Sequence, residues 1–207
     1  MALDDPDLPM KGVLPTQEEL KEFMTLTVRP GQSDLDFSFM LPDGWYQQPA
    51  PPERPNLKDE GEFLPLGVFT PTKNFIPPIV FSAAVRPAPK QGTVAEWLEE
   101  QCHLQQLALQ RMTVHTFLFG PAADAVALQA SDLGPLKLRV VAFEDGGRLF
   151  VLTAMAPLKL WDTVVATLSL AILTFELLEP KGNTVAVLPK PPDDGASSGN
   201  GAGQAPN

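Results

Sequence analysis

Leu35, Phe37, Phe39 and Leu41 alternate with Asp36, Ser38 and Met40, a period of two that predicts a strand with four apolar side chains on one face. Pro42-Asp43-Gly44 then turns the chain, and Trp45-Tyr46 follow at once. Residues 47–62 hold Pro49, Pro51, Pro52 and Pro55 among charges. Proline has no amide to give to a ladder, so this stretch reads as a loop. Strand patterns return over 63–70 and 79–86, joined through Pro77-Pro78. Thr93-Val94-Ala95-Glu96 fits a capping box, and Val94, Trp97, Leu98, Leu104 and Leu107 recur behind it at helical spacing, predicting a helix over 94–110. Four strands come next at 114–119, 125–131, 136–143 and 148–155. The last two flank Glu144-Asp145-Gly146-Gly147, a hairpin connection. Pro157 suits the first turn of a second helix, with Trp161, Val164, Val165, Leu168 and Ile172 as its stripe, before a short strand at 174–178.

At the start, residues 1–15 are expected to form an extended, proline-bearing acidic arm, and Thr16-Gln17-Glu18-Glu19 fits a capping box for a short helix ending near Met24. At the other end, 189–207 is Pro, Gly, Ser, Ala and Asn with almost no apolar bulk, a composition that cannot offset its ordering entropy. The expected organisation is an N-terminal arm with a short helix (1–34), one α+β domain (35–188) and a disordered tail (189–207). The run 79–86 is apolar on both parities, and so is 148–155. Such strands are covered on both faces, so the fold expected is an antiparallel sheet flanked by helices, a three-layer α/β/α sandwich.

Composition narrows the function classes. The 207 residues carry a formal charge of −10, with 13 acidic and 5 basic side chains in 1–62 against 12 and 10 in 63–207. No Lys/Arg cluster offsets this, which argues against nucleic acid or anionic lipid as the main partner. The longest uncharged apolar stretch, 163–175, falls short of the roughly 20 residues a helix needs to cross a bilayer. The acidic start, Met1-Ala2-Leu3-Asp4-Asp5, lacks the basic and apolar regions of a secretory signal, so a cytoplasmic location is expected. Cys102 is the one cysteine and cannot form an internal disulfide.

Chemistry-bearing patterns are scarce. His103 and His115 are the two histidines, with no His-x-His or Cys-x-x-Cys spacing, so no metal or catalytic site is expected from them. Gly199-Asn200-Gly201-Ala202-Gly203 imitates a phosphate loop without the preceding strand or the subsequent helix. No catalytic residue and no cofactor are expected.

Several local phrases together resemble the PsbP-like superfamily, which includes the Ran-binding Mog proteins. They are the strand ending in Leu41-Pro42-Asp43-Gly44-Trp45, the strand opening Pro77-Pro78-Ile79-Val80, the capped helix from Thr93, and the hairpin that runs into 160–178. The arrangement over residues 35–178 looks most like the LpqN-type branch and the DcrB-type branch with its EagR secretion chaperones. The resemblance implies a non-catalytic protein-binding module, a cytoplasmic chaperone or adaptor for a secreted or membrane-segment-containing client. The alternative is a carrier of a small apolar ligand or lipid. Candidate partner-binding residues are Val141, Phe143, Phe150, Leu152 and Ala154, whose two-faced strands exceed the cover that two long helices and one short one supply. An apolar groove there would take a client or a second copy in a homodimer. Trp45 and Tyr46 are either a partner anchor or a turn tucked onto the core.

Overall fold

The computed structural model describes residues 17–30, 33–49, 63–117 and 119–178. The arm at 1–15, the cap at Thr16, most of the proline loop and the tail at 189–207 lie outside the described residues.

Strand alternation sets the architecture. Strands β3 (Tyr46–Gln47), β4 (Leu64–Thr70), β5 (Val80–Pro87), β6 (Ala108–Phe117), β7 (Gly120–Gln129), β8 (Leu136–Asp145) and β9 (Arg148–Pro157) form one antiparallel sheet in the order β3-β4-β5-β9-β8-β7-β6. Gly146 and Gly147 join β8 to β9 with φ of 56° and 75°, the two positive angles a two-residue hairpin turn demands. Val85, Phe150, Phe143 and Ala122 pair in one row across four strands, and Ala83, Leu152, Val141 and Asp124 in the next. Residues one position along, such as Val151, Ala142 and Ala123, face the other way, so the sheet carries a separate core on each side.

Helix α1 (Val94–Leu104) covers one face, pressing Trp97, Leu98 and Cys102 toward Ala123, Ala125, Leu138, Val140 and Leu149. Its capping box is formed: the Thr93 amide donates to Glu96 Oε2 at 2.7 Å and the Glu96 amide donates to Thr93 Oγ1 at 3.2 Å. The helix stops at Leu104 rather than near residue 110. The Leu107 amide donates to the Cys102 carbonyl and the Gln106 amide to that of His103, with Gln106 at φ 56°, the bond pattern of a Schellman stop. Glutamine in the left-handed position usually taken by glycine is why the stop is invisible in the sequence. From Ala108 the chain pairs with β7 instead, with a bulge at Gln110.

The opposite face is covered by helix α2 (Trp161–Leu173) together with a second, three-stranded sheet in the order β1-β2-β10, built from β1 (Phe23–Val28), β2 (Phe37–Pro42) and β10 (Glu176–Leu177). Leu35, Phe37, Phe39 and Leu41 are fully buried there, among Phe69, Phe81, Trp161, Leu168 and Phe175. The fold is thus α+β and mostly antiparallel sheet. Helices flank the large sheet on both faces, and on the α2 side the small sheet shares the cover. The short helix expected up to Met24 is a single 3-10 turn, Glu19–Glu22. From Phe23 the β-branched and aromatic sequence Phe-Met-Thr-Leu-Thr-Val pairs with β2, Val28 opposite Phe37. The folded unit therefore begins before residue 35. Among the described residues no helix is long and apolar enough to cross a membrane.

Candidate functional site

The five sheet residues singled out as a groove are brought together, but inside the molecule. Val141, Phe143, Phe150 and Leu152 are 0% exposed and Ala154 is 1% exposed, all in the core beneath α2 and the small sheet. The expectation of an open apolar groove on these side chains is corrected. The shortage of helical cover was real, and β1, β2 and β10 make it good.

One of the five reaches a cleft. A cavity of about 480 Å³ lies where the end of β8 meets β10 and the end of α2. Phe143 and Phe175 are its buried floor, and half-buried Phe119 and Leu177 form its walls. The aromatic rings are interlocked. Phe119 stacks on Phe143 with centroids 4.1 Å apart, and Phe175 stands edge-on to Phe119 at 6.1 Å. Asp145 and Glu176 are exposed on the rim. Thr174 also lines the cleft, but its hydroxyl is engaged, donating to the Leu170 carbonyl at 2.7 Å and accepting the Met40 amide at 2.9 Å.

A second concentration of polar chemistry lies under α2, on the β6–β7–β8 half of the same face. Arg139 donates from Nε to Asp124 Oδ1 at 3.1 Å and from Nη2 to Asp124 Oδ2 at 2.7 Å, while Nη1 donates to Ser169 Oγ at 2.9 Å. Arg139 and Asp124 are 1% and 0% exposed. Two charges can sit this deep only because each compensates the other's lost hydration and further hydrogen bonds complete the set. Burial is the main cause lowering the half-buried Arg111 guanidinium's pKa, with Asp124 opposing and Arg139 reinforcing the shift. His115 Nε2 lies 2.8 Å from Thr113 Oγ1 and 4.0 Å from Asp124 Oδ2. Both contacts fall on one ring nitrogen, whereas a hydroxyl–imidazole–carboxylate relay needs one on each. The cluster's geometry ties α2 to the sheet. Sequence reasoning singled out none of Asp124, Arg139 and Ser169. The signal that could have found it was Arg139 on the same parity as Val141 and Phe143, with Asp124 inside the apolar run of the neighbouring strand.

No family model and no curated protein matches this sequence. Solved structures do match. The solution structure of cyanobacterial PsbP (CyanoP) from Synechocystis sp. PCC 6803 superposes with a TM-score of 0.53 at 12% identity, covering 82% of this chain and 99% of that one. The crystal structure of LpqN, involved in cell envelope biogenesis of Mycobacterium tuberculosis, gives 0.51 at 15%, covering 81% and 100%. The fold is PsbP-like. At such identities the likeness extends to the fold alone.

Within this PsbP-like frame Trp45 and Tyr46 part company. Trp45 is half-buried and packs on the main core. Tyr46, opposite Thr70 on the edge strand β3, is 41% exposed, with the Lys73 ammonium 5.2 Å above its ring. His103 is exposed on α1, and Cys102 is buried beside it. Burial, with a smaller push from Glu99, raises the thiol's pKa. Among the described residues no three His, Cys, Asp or Glu are grouped to hold a metal.

Proposed function

We propose that this chain is a non-catalytic protein-binding module that receives its partner at the cleft between β8, β10 and the end of α2, serving as a cytoplasmic chaperone or adaptor for a secreted or membrane-segment-containing client. The observation carrying this reading is the cleft itself. Half-buried Phe119 and Leu177 keep apolar surface open there above the buried Phe143 and Phe175, and side chains anchored in pockets dominate the energetics of interfaces. In this reading α1 and α2 are the outer layers of a three-layer α/β/α sandwich, with the small sheet an addition to the α2 layer.

A photo-crosslinking side chain at Leu177 of the full chain, expressed in its source cell, tests it. A defined polypeptide captured at Leu177, and not at exposed Leu133 beyond the opposite end of β8, is the expected result. Equal capture at both positions, or none at either, counts against the cleft. The alternative of a small-ligand carrier is favoured by one observation: about 480 Å³ falls inside the range of roughly 300–1,000 Å³ typical of ligand pockets. Native mass spectrometry of detergent-free protein separates the two, since a retained organic molecule lost from Phe119→Ala supports the carrier.

A further inference from the structure

The cleft's charge pattern identifies the chemistry of its occupant. Half-buried Phe119 and Leu177 line it above the buried Phe143 and Phe175, and its charged lining groups are two carboxylates from different elements, Asp145 from the end of β8 and Glu176 from β10. Asp145 is the cross-strand partner of Arg148. Arg148 is nevertheless held elsewhere: Nη1 donates to Asp34 Oδ2 at 2.6 Å and Nη2 to the Asp34 carbonyl at 3.2 Å, while the guanidinium lies 5.5 Å from the Phe150 ring. Among the described residues neither Asp145 nor Glu176 makes an ion pair. Two exposed carboxylates beside half-buried apolar side chains complement an organic cation with an apolar stem, by opposite charge at the rim and by apolar contact with Phe119 and Leu177. The chain's overall charge of −10 draws a cation in from a distance.

The shape selects the source of that cation. With Asp145 and Glu176 exposed and Phe119 and Leu177 half-buried, the cleft is open to solvent. Small-molecule sites enclose most of their ligand, whereas an open trough accepts a side chain from a polymer lying across it. A lysine or arginine side chain has the matching build, an apolar stem to lie against Phe119 and Leu177 and a charged head to reach the rim.

We propose that the cleft is a docking site for a basic, apolar segment of a partner polypeptide, one lysine or arginine seated between Asp145 and Glu176 with neighbouring apolar side chains on Phe119 and Leu177. This rests on the protein-binding reading above and specifies the partner's chemistry.

The test is panning of an unbiased random-peptide phage library on the full chain, with the enriched peptides titrated against four proteins by fluorescence anisotropy. These are wild type, Asp145→Asn/Glu176→Gln, Phe119→Ala, and Glu99→Gln/Glu100→Gln, which removes the same two charges from α1. Circular dichroism confirms that each variant is folded. If Phe119→Ala is not, Phe119→Leu replaces it. Enriched peptides should pair Lys or Arg with aliphatic residues and lose about tenfold in affinity in Asp145→Asn/Glu176→Gln, since each exposed ion pair contributes up to about fivefold. They should be nearly unaffected by Glu99→Gln/Glu100→Gln. Equal loss in both charge variants would mean attraction to net charge only and overturns the proposal. Binders without Lys or Arg that are lost on Phe119→Ala overturn the cation assignment while leaving the cleft as a protein site. Binders indifferent to the rim and Phe119 variants overturn both.

Discussion

Replacing Phe143 by alanine is the sharpest way to separate a core role from an interface role. Phe143 is 0% exposed and touches three rings, with centroids 4.1 Å away for Phe119, 5.3 Å for Phe150 and 5.9 Å for Phe175. Truncating a buried phenylalanine costs roughly 3–5 kcal/mol through lost transfer energy and the cavity left behind. The three ring partners push toward the upper end, because they lose ring contacts worth about 0.5–1.5 kcal/mol each beyond area. The neighbouring cleft pulls the other way, since Phe119 is half-buried and free to settle into the space. About 4 kcal/mol is the balance, a large part of the roughly 5–15 kcal/mol that holds a domain together. Urea unfolding followed by tryptophan fluorescence measures it, with an unchanged slope required for the comparison. The same loss corresponds to a drop in Tm of about 8–16 °C. A loss under about 1.5 kcal/mol at wild-type slope would refute the core assignment and return Phe143 to the surface.

The buried ion pair has an equally direct test. Arg139→Met should cost about 3–5 kcal/mol because Asp124 is left charged and buried, and adding Asp124→Leu should recover most of it, with equal stability of single and double variants ruling the argument out. At α1, Thr93→Ala should destabilise by about 1 kcal/mol through the lost cap, read from thermal melts. Glu96 has its pKa lowered by the Thr93 amide first and the Thr93 hydroxyl second. A depressed folded pKa stabilises the fold above the unfolded value, so that contribution is whole at neutral pH and fades as pH falls through the folded value. The Tm gap between wild type and Glu96→Gln should therefore close on acidification, and a gap that widens would reverse the sign. Cys102, buried and with a raised pKa, should react with a thiol reagent far more slowly in the native protein than in urea, and equal rates would place it at the surface.

Local chemistry wrote the elements whose signals are short-range. Period-two alternation placed Leu35, Phe37, Phe39 and Leu41 on one buried face, the capping box at Thr93 opened α1, and the two glycines at 146–147 closed the β8–β9 hairpin. These signals sit within a few residues of the elements they specify, so a single sequence carries them. The PsbP-like arrangement was legible for the same reason, as an order of such elements. The features that the tertiary structure alone decided involve partners distant in the chain. Phe23–Val28 is a strand because β2 lies beside it, and the 94–110 segment splits at Gln106 because β7 offers a pairing edge to the residues from Ala108 onward. The five sheet residues became core because β2 and β10 arrive from opposite ends of the chain to cover them. Asp124, Arg139 and Ser169 are each ordinary in sequence and become a network only when two strands and a helix meet. The cleft is likewise a property of where β8, β10 and α2 end relative to one another. Burial is a relation between residues far apart in sequence, and periodicity records only that a face is apolar, not which element comes to cover it.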